Sequence, residues 1–220
     1  MNVYYDRDRE PPEARLHPYT AAGPDQSGYV DFKACPELIR TVLEDIRPFG
    51  ARPAVEKFYS FLEWINSPLS PLETNDCAMR PPAPNGDSNS DLALVVYGRV
   101  CLLYRNPAWN SSEAHARWLC GRLMTALKDT DPGLSAREGV VGFTSSPILQ
   151  LAISKGAPRP DGSFEASADD PGIGREVMLT FWAYGNDEDH AFSNLDRVFT
   201  NIWSACEVVS KEIVTAHPAR

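Results

Sequence analysis

The stretch 175–216 constrains the fold more than any other part of the chain. Within 175–184, Val177, Leu179, Phe181 and Ala183 fall on one side of a two-residue repeat, and Glu176, Met178, Thr180, Trp182 and Tyr184 fall on the other. That alternation predicts a strand with at least one fully covered face. After Gly185, Asn186 and Asp187, the residues Phe192, Leu195, Val198, Phe199, Ile202, Cys206, Val209 and Ile213 recur every three or four positions, the spacing of an amphipathic helix. At about 1.5 Å per residue such a helix would run roughly 40 Å, enough to cross the sheet of a small domain. Asp187, Glu188 and Asp189 stand where the helix dipole favours negative charge, and Lys211 and His217 stand near the other end. Strand and helix together make a platform for the rest of the sheet.

Upstream, a helix is predicted to open at Pro36, to bury Ile39, Val42, Leu43 and Ile46, and to stop at Pro48, Phe49 and Gly50. A second opens near Pro53, buries Val55, Phe58, Tyr59, Leu62 and Ile65, and ends before Pro68, giving a helical hairpin. Residues 92–96 and 100–104 read as two strands joined by a Gly98-Arg99 turn, with Val96 opposite Cys101 and Leu94 opposite Leu103; a single bent strand through Gly98 is the competing reading. Asn110 with Glu113 resembles a capping box for a helix burying Ala116, Leu119, Cys120, Leu123 and Leu127 and ending at Asp131, Pro132 and Gly133. Residues 139–144 and 148–154 read as two more strands, and 155–174 as a polar loop. The order of elements predicts an α+β fold: a mostly antiparallel sheet of about five strands with helices packed on it and a long C-terminal helix. Residues 1–31, rich in charge, proline and glycine, read as an extended or partly disordered arm, and 32–220 as one domain.

Composition narrows the function classes. A chain of 220 residues with 43% hydrophobic content fills one sizeable core. The formal net charge of -9, with no offsetting run of Lys and Arg, argues against nucleic acid and anionic membrane and suits a basic protein partner. No apolar segment resembles a secretory signal or a membrane span, so a cytoplasmic setting is expected. Five cysteines without a C-x-x-C pair fit neither a disulfide framework nor a structural zinc site. The consecutive residues Asp187, Glu188, Asp189 and His190 would point about 100° apart on a helix and cannot converge on one ion. Gly172, Ile173 and Gly174 precede a strand, whereas a phosphate cradle precedes a helix. No metal site and no cofactor are therefore expected, and the common hydrolase and nucleotide motifs are absent from the sequence.

Residues 67–90 show neither helical nor strand period and are expected to form a long irregular connection, the kind of segment that carries function. Its middle packs Glu73, Asn75, Asp76, Cys77 and Arg80 together. One reading makes Cys77 a thiolate nucleophile, its pKa lowered by Arg80, with His115 or His190 as the base; another uses the Glu73 and Asp76 carboxylates. The plainer reading has Asn75 and Asp76 capping a turn, with Cys77 tucked under the sheet. Cys101, Cys120 and Cys206 lie on apolar faces as small hydrophobes. Trp182 and Trp203 make either an interface patch or a second core layer under the first two helices. Three functions follow: first, a non-enzymatic binding protein with an acidic surface, using Asn75 and Arg80, with sheet faces apolar enough for a homodimer. The second is a small enzyme using Cys77 or the Glu73 and Asp76 carboxylates, and the third a ligand sensor whose cavity is lined by Trp182 and Tyr184.

Overall fold

The computed structural model describes residues 1–6, 16–17, 19–20, 29–30, 32, 36–42, 52–86, 90–153, 163–164 and 166–216. In chain order its strands are β1 (Asn2–Tyr5), β2 (Leu16–His17), β3 (Tyr19–Thr20), β4 (Tyr29–Val30), β5 (Leu72–Met79), β6 (Ala83–Pro84), β7 (Leu94–Tyr104), β8 (Gly139–Ile153), β9 (Ser163–Phe164) and β10 (Ala166–Gly185). Its α-helices are α1 (Ile39–Val42), preceded by a 3-10 turn over Pro36–Leu38, then α2 (Pro53–Ile65), α3 (Pro107–Asn110), α4 (Glu113–Lys128) and α5 (Glu188–Ala216). Leu43, Ile46 and the stop at Pro48, Phe49 and Gly50 lie outside the described residues, as do Cys35, His217 and most of the arm.

The main sheet has the order β1-β8-β10-β7-β5, with β2 beside β8 and β6 beside β7. The pairings of β10 with β8 and β7, and of β7 with β5 and β6, are antiparallel; β1 and β2 join β8 in parallel. The fold is therefore α+β, with a mostly antiparallel sheet and a long C-terminal helix. A small second sheet has the order β3-β4-β9. Asn2–Tyr5, within the expected arm, belongs to the main sheet.

One face of the sheet carries the core. Val177, Leu179, Phe181 and Ala183 of β10 point there with Val96, Val100 and Leu102 of β7, and α2, α4 and α5 pack over them. The aromatic centre is Phe181 against Phe199 at 4.7 Å between ring centroids and Phe58 against Phe199 at 4.9 Å, both edge-on, a geometry that adds about 0.5–1.5 kcal/mol per pair beyond burial. Trp203 packs on Phe61 and Trp64 of α2, the second layer beneath the helices. Asp187 begins α5: its Oδ1 accepts the His190 N–H at 2.8 Å, and His190 Nδ1 accepts the Asn186 N–H. Arg52 pairs with Glu188 and Asp189 across the α2 entry.

Four local expectations are corrected. The two strands around Gly98 are one strand, β7: Gly98 makes no turn but lets Phe181 and the Ala78 carbonyl close in, and its would-be Cβ stands 2.5 Å and 2.2 Å from them. Residues 139–144 and 148–154 are likewise one strand, continuous through Pro147, which pairs with Arg175. The polar loop 155–174 is shorter than expected, because β10 already begins at Ala166. Asn110 caps no helix. Asn106 caps α3 and Ser112 caps α4, while the buried Asn110 side chain exchanges two hydrogen bonds, 2.8 and 2.9 Å, with the Tyr104 backbone.

Candidate functional site

The segment expected to be irregular is the edge strand β5, so Asn75 and Asp76 cap no turn. Its alternation is hidden in the sequence by a bulge: Thr74 pairs with Leu102 and Asp76 with Cys101, leaving Asn75 as the extra residue. Leu72, Cys77 and Met79 face the helices. Glu73, Asp76 and Ala78 point to the opposite face, and the bulge turns Asn75 that way too.

That opposite face divides into a buried polar end and a more open end. At the buried end Asn75 and Glu176 come together, although they lie on strands separated by β7; Glu73 is buried as well. Asn75 Nδ2 donates to Glu176 Oε2 at 2.7 Å, with both residues buried. Glu176 is 0% exposed, so this hydrogen bond is shielded from solvent. Asn75 Oδ1 accepts no hydrogen bond from the described residues.

At the open end, Arg99 Nε donates to Asp76 Oδ2 at 2.7 Å. Burial, the largest single influence, works against the Arg99 charge, but the hydrogen bond to the Asp76 carboxylate and the attraction of its charge together outweigh it, and the guanidinium pKa is raised. A cleft of about 200 Å³ opens here, lined by Arg80, Arg99, Tyr97, Ala78, Met178 and Thr180 with the Gly98 backbone. Beside it Tyr97 pairs across the strands with Trp182, and Tyr4 stacks on Trp182 at 6.3 Å and 26°. Tyr4 and Tyr97 are 37% and 38% exposed. A row of three aromatic rings from β1, β10 and β7 thus crosses the sheet, passing over β8, beside Arg99 of β7 and Arg80 just past the end of β5.

The structure places the sequence candidates in different environments. Asn75 bonds Glu176 and Glu73 is buried; Asp76 is held by Arg99; Arg80 lines the cleft; Trp182 is the middle ring of the row. Cys77 is in the core on the helix side, away from Arg80. His115 packs against Tyr104 and Trp109, and His190 caps α5, so each imidazole is engaged elsewhere. Tyr184 fills space with Leu92, Val95 and Val140 and is fully buried. Sequence reasoning missed Glu176, Arg99, Tyr97 and Tyr4 as neighbours of the candidates; the alternation of 175–184 already put Glu176 on Trp182's side, but nothing local said which strand would lie alongside.

The accessible groups of this face are guanidinium, phenol, indole and hydroxyl, with the partly exposed Asp76 carboxylate held in its ion pair with Arg99. The buried carboxylates do not line the cleft. Among the described residues no group of three or more His, Cys, Asp or Glu side chains is gathered as metal ligands, and no helix is long and apolar enough to cross a membrane. No protein-family model matches the chain, and no curated protein or solved structure matches it.

Proposed function

We propose that the chain is a non-enzymatic binding protein that engages a protein partner through the open end of its sheet face. The observation that carries this reading is the row Tyr4, Trp182, Tyr97, partly exposed on strands of one sheet and flanked by Arg80 and Arg99. Aromatic and arginine side chains on a rigid support are the residues that dominate binding energy at protein interfaces. The Asn75–Glu176 bond supports the same strands from the buried end. Because the whole chain carries -9, its long-range field favours a basic partner, with the aromatic row supplying contact once the two meet. The four described cysteines are buried thiols, which suits a reducing compartment such as the cytoplasm.

The test compares wild type with a Tyr97→Ala, Trp182→Ala double variant as immobilised baits for proteins of the host cell, across a salt series. A protein retained by wild type, lost from the double variant and released as salt rises supports the proposal. Equal retention by both baits, or none by either, overturns it. Sedimentation of the chain alone identifies the case in which the partner is a second copy.

A further inference from the structure

On the other side of the molecule, in the helix layer, a cleft of about 340 Å³ lies between the end of α2 and the last turns of α5. Its walls are apolar at Trp64, Leu69, Pro71 and Val214, and polar at Glu207, Ser210 and Lys211. The α5 residues 207, 210, 211 and 214 follow the spacing that stacks side chains on one helical face.

Three features set this cleft apart from a surface dip. First, Ser210 is only 7% exposed and its hydroxyl makes no hydrogen bond. Other hydroxyls of α5 behave differently: Thr200 and Thr215 each donate to the carbonyl four residues back, at 2.8 Å. A buried hydroxyl left unpaired is unfavourable, so a ligand atom that meets it recovers that cost. Second, Glu207 and Lys211 stand one turn apart with opposite charges, yet among the described residues neither is in an ion pair, whereas Glu212 beside them holds Arg122. Third, Leu69 at the lip is 92% exposed but is not on a loose loop. The Arg105 guanidinium clamps the carbonyls of Ser67 and Pro68 just before it, and the Ser70 hydroxyl donates to the Leu72 carbonyl at 3.0 Å just after it.

We infer that this cleft binds a small zwitterion with an apolar body, namely a free α-amino acid with a large aliphatic or aromatic side chain. The Ser210 hydroxyl and the Lys211 ammonium meet its carboxylate, Glu207 meets its ammonium, and the side chain lies between Trp64 and the Leu69–Val214 lip. The volume is at the small end of ligand sites, which suits one amino acid better than a nucleotide. This inference is independent of the sheet-face proposal, since no residue is shared.

Isothermal titration with L-leucine and L-phenylalanine tests it, alongside the two half-ligands 3-phenylpropionate and 2-phenylethylamine. The expected result is binding of at least one amino acid, about tenfold tighter than either half-ligand. Ser210→Ala is expected to weaken that binding severalfold while leaving the unfolding midpoint equal or higher, because it removes an unspent polar group; Lys211→Gln and Glu207→Gln each weaken it as well. No binding by either amino acid, equal affinity for a half-ligand, or undiminished binding by a folded Ser210→Ala variant overturns the inference.

Discussion

The ring of Phe181 lies over Gly98 so closely that a β-carbon on Gly98 would stand 2.5 Å from Phe181 Cζ. On its other side the Ala78 carbonyl oxygen would be 2.2 Å away, and a backbone atom cannot yield as a ring can. Gly98→Ala therefore has to part β7 from β5 or displace the ring that packs on Phe199. The expected loss is about 3 kcal/mol, at the upper end of overpacking penalties. Urea unfolding of the variant checks it, and a midpoint equal to wild type would contradict the packing described.

Asn75 and Glu176 give a second prediction. Removing the amide in Asn75→Ala leaves a buried carboxylate without one of its donors, at an expected cost of about 1.5–3 kcal/mol. Asn75→Asp costs more near neutral pH, because it sets a further carboxylate against Glu176, and the gap between the two variants narrows in mild acid as the new group takes up a proton. Denaturant unfolding of both variants at two pH values decides the matter; indistinguishable variants at neutral pH would show that Glu176 does not feel position 75.

Acid should loosen the tie between α5 and the turn after α4. The Asp131 carboxylate accepts from the Arg197 guanidinium and from the Gly133 N–H, which hold it below the usual carboxylate range. Glu138 is held low in the same way by the Ser135 hydroxyl and N–H. A depressed folded pKa means the stabilisation is complete above the unfolded value and is lost as pH falls through the folded one. Melting temperature is therefore expected to stay level toward pH ~5 and fall below about pH 4. The fall should be shallower in Asp131→Asn, and added salt should shrink the difference, because this pair faces solvent.

Thiol chemistry offers a fourth check. Burial pushes the Cys206 thiol up to about 12, and Cys77, Cys101 and Cys120 are buried as well. Native protein treated with an alkylating reagent at pH ~8 should leave these four unmodified by peptide mass spectrometry, and unfolding should expose them all. Rapid native labelling at Cys77 would revive the nucleophilic reading.

Much of the architecture is legible in the residues. The periods of β10, α2, α4 and α5 survive because each buries a continuous stripe against one layer, and every apolar residue named for α2 and α5 is buried. What failed to show were features that depend on a neighbour. A glycine placed for close approach looks the same in sequence as one placed for a turn, so Gly98 split β7 in two. The bulge at Asn75 inserts one residue into a two-residue repeat, and an edge strand was read as an irregular connection. Asn75 and Glu176 lie far apart in the chain and meet only through strand order, which no local pattern encodes.

Strand order also governs when this protein can fold. β10 lies between β8 and β7, so the sheet stays in two halves until residue 185 is available, and α5, which roofs the join, is made after that. During synthesis α2, β5 and β7 must wait with their apolar surfaces uncovered until β10 and α5 have emerged. Chaperone demand should accordingly last until α5 is out, and a ribosome stalled before α5 holds a chain that has nothing to close upon.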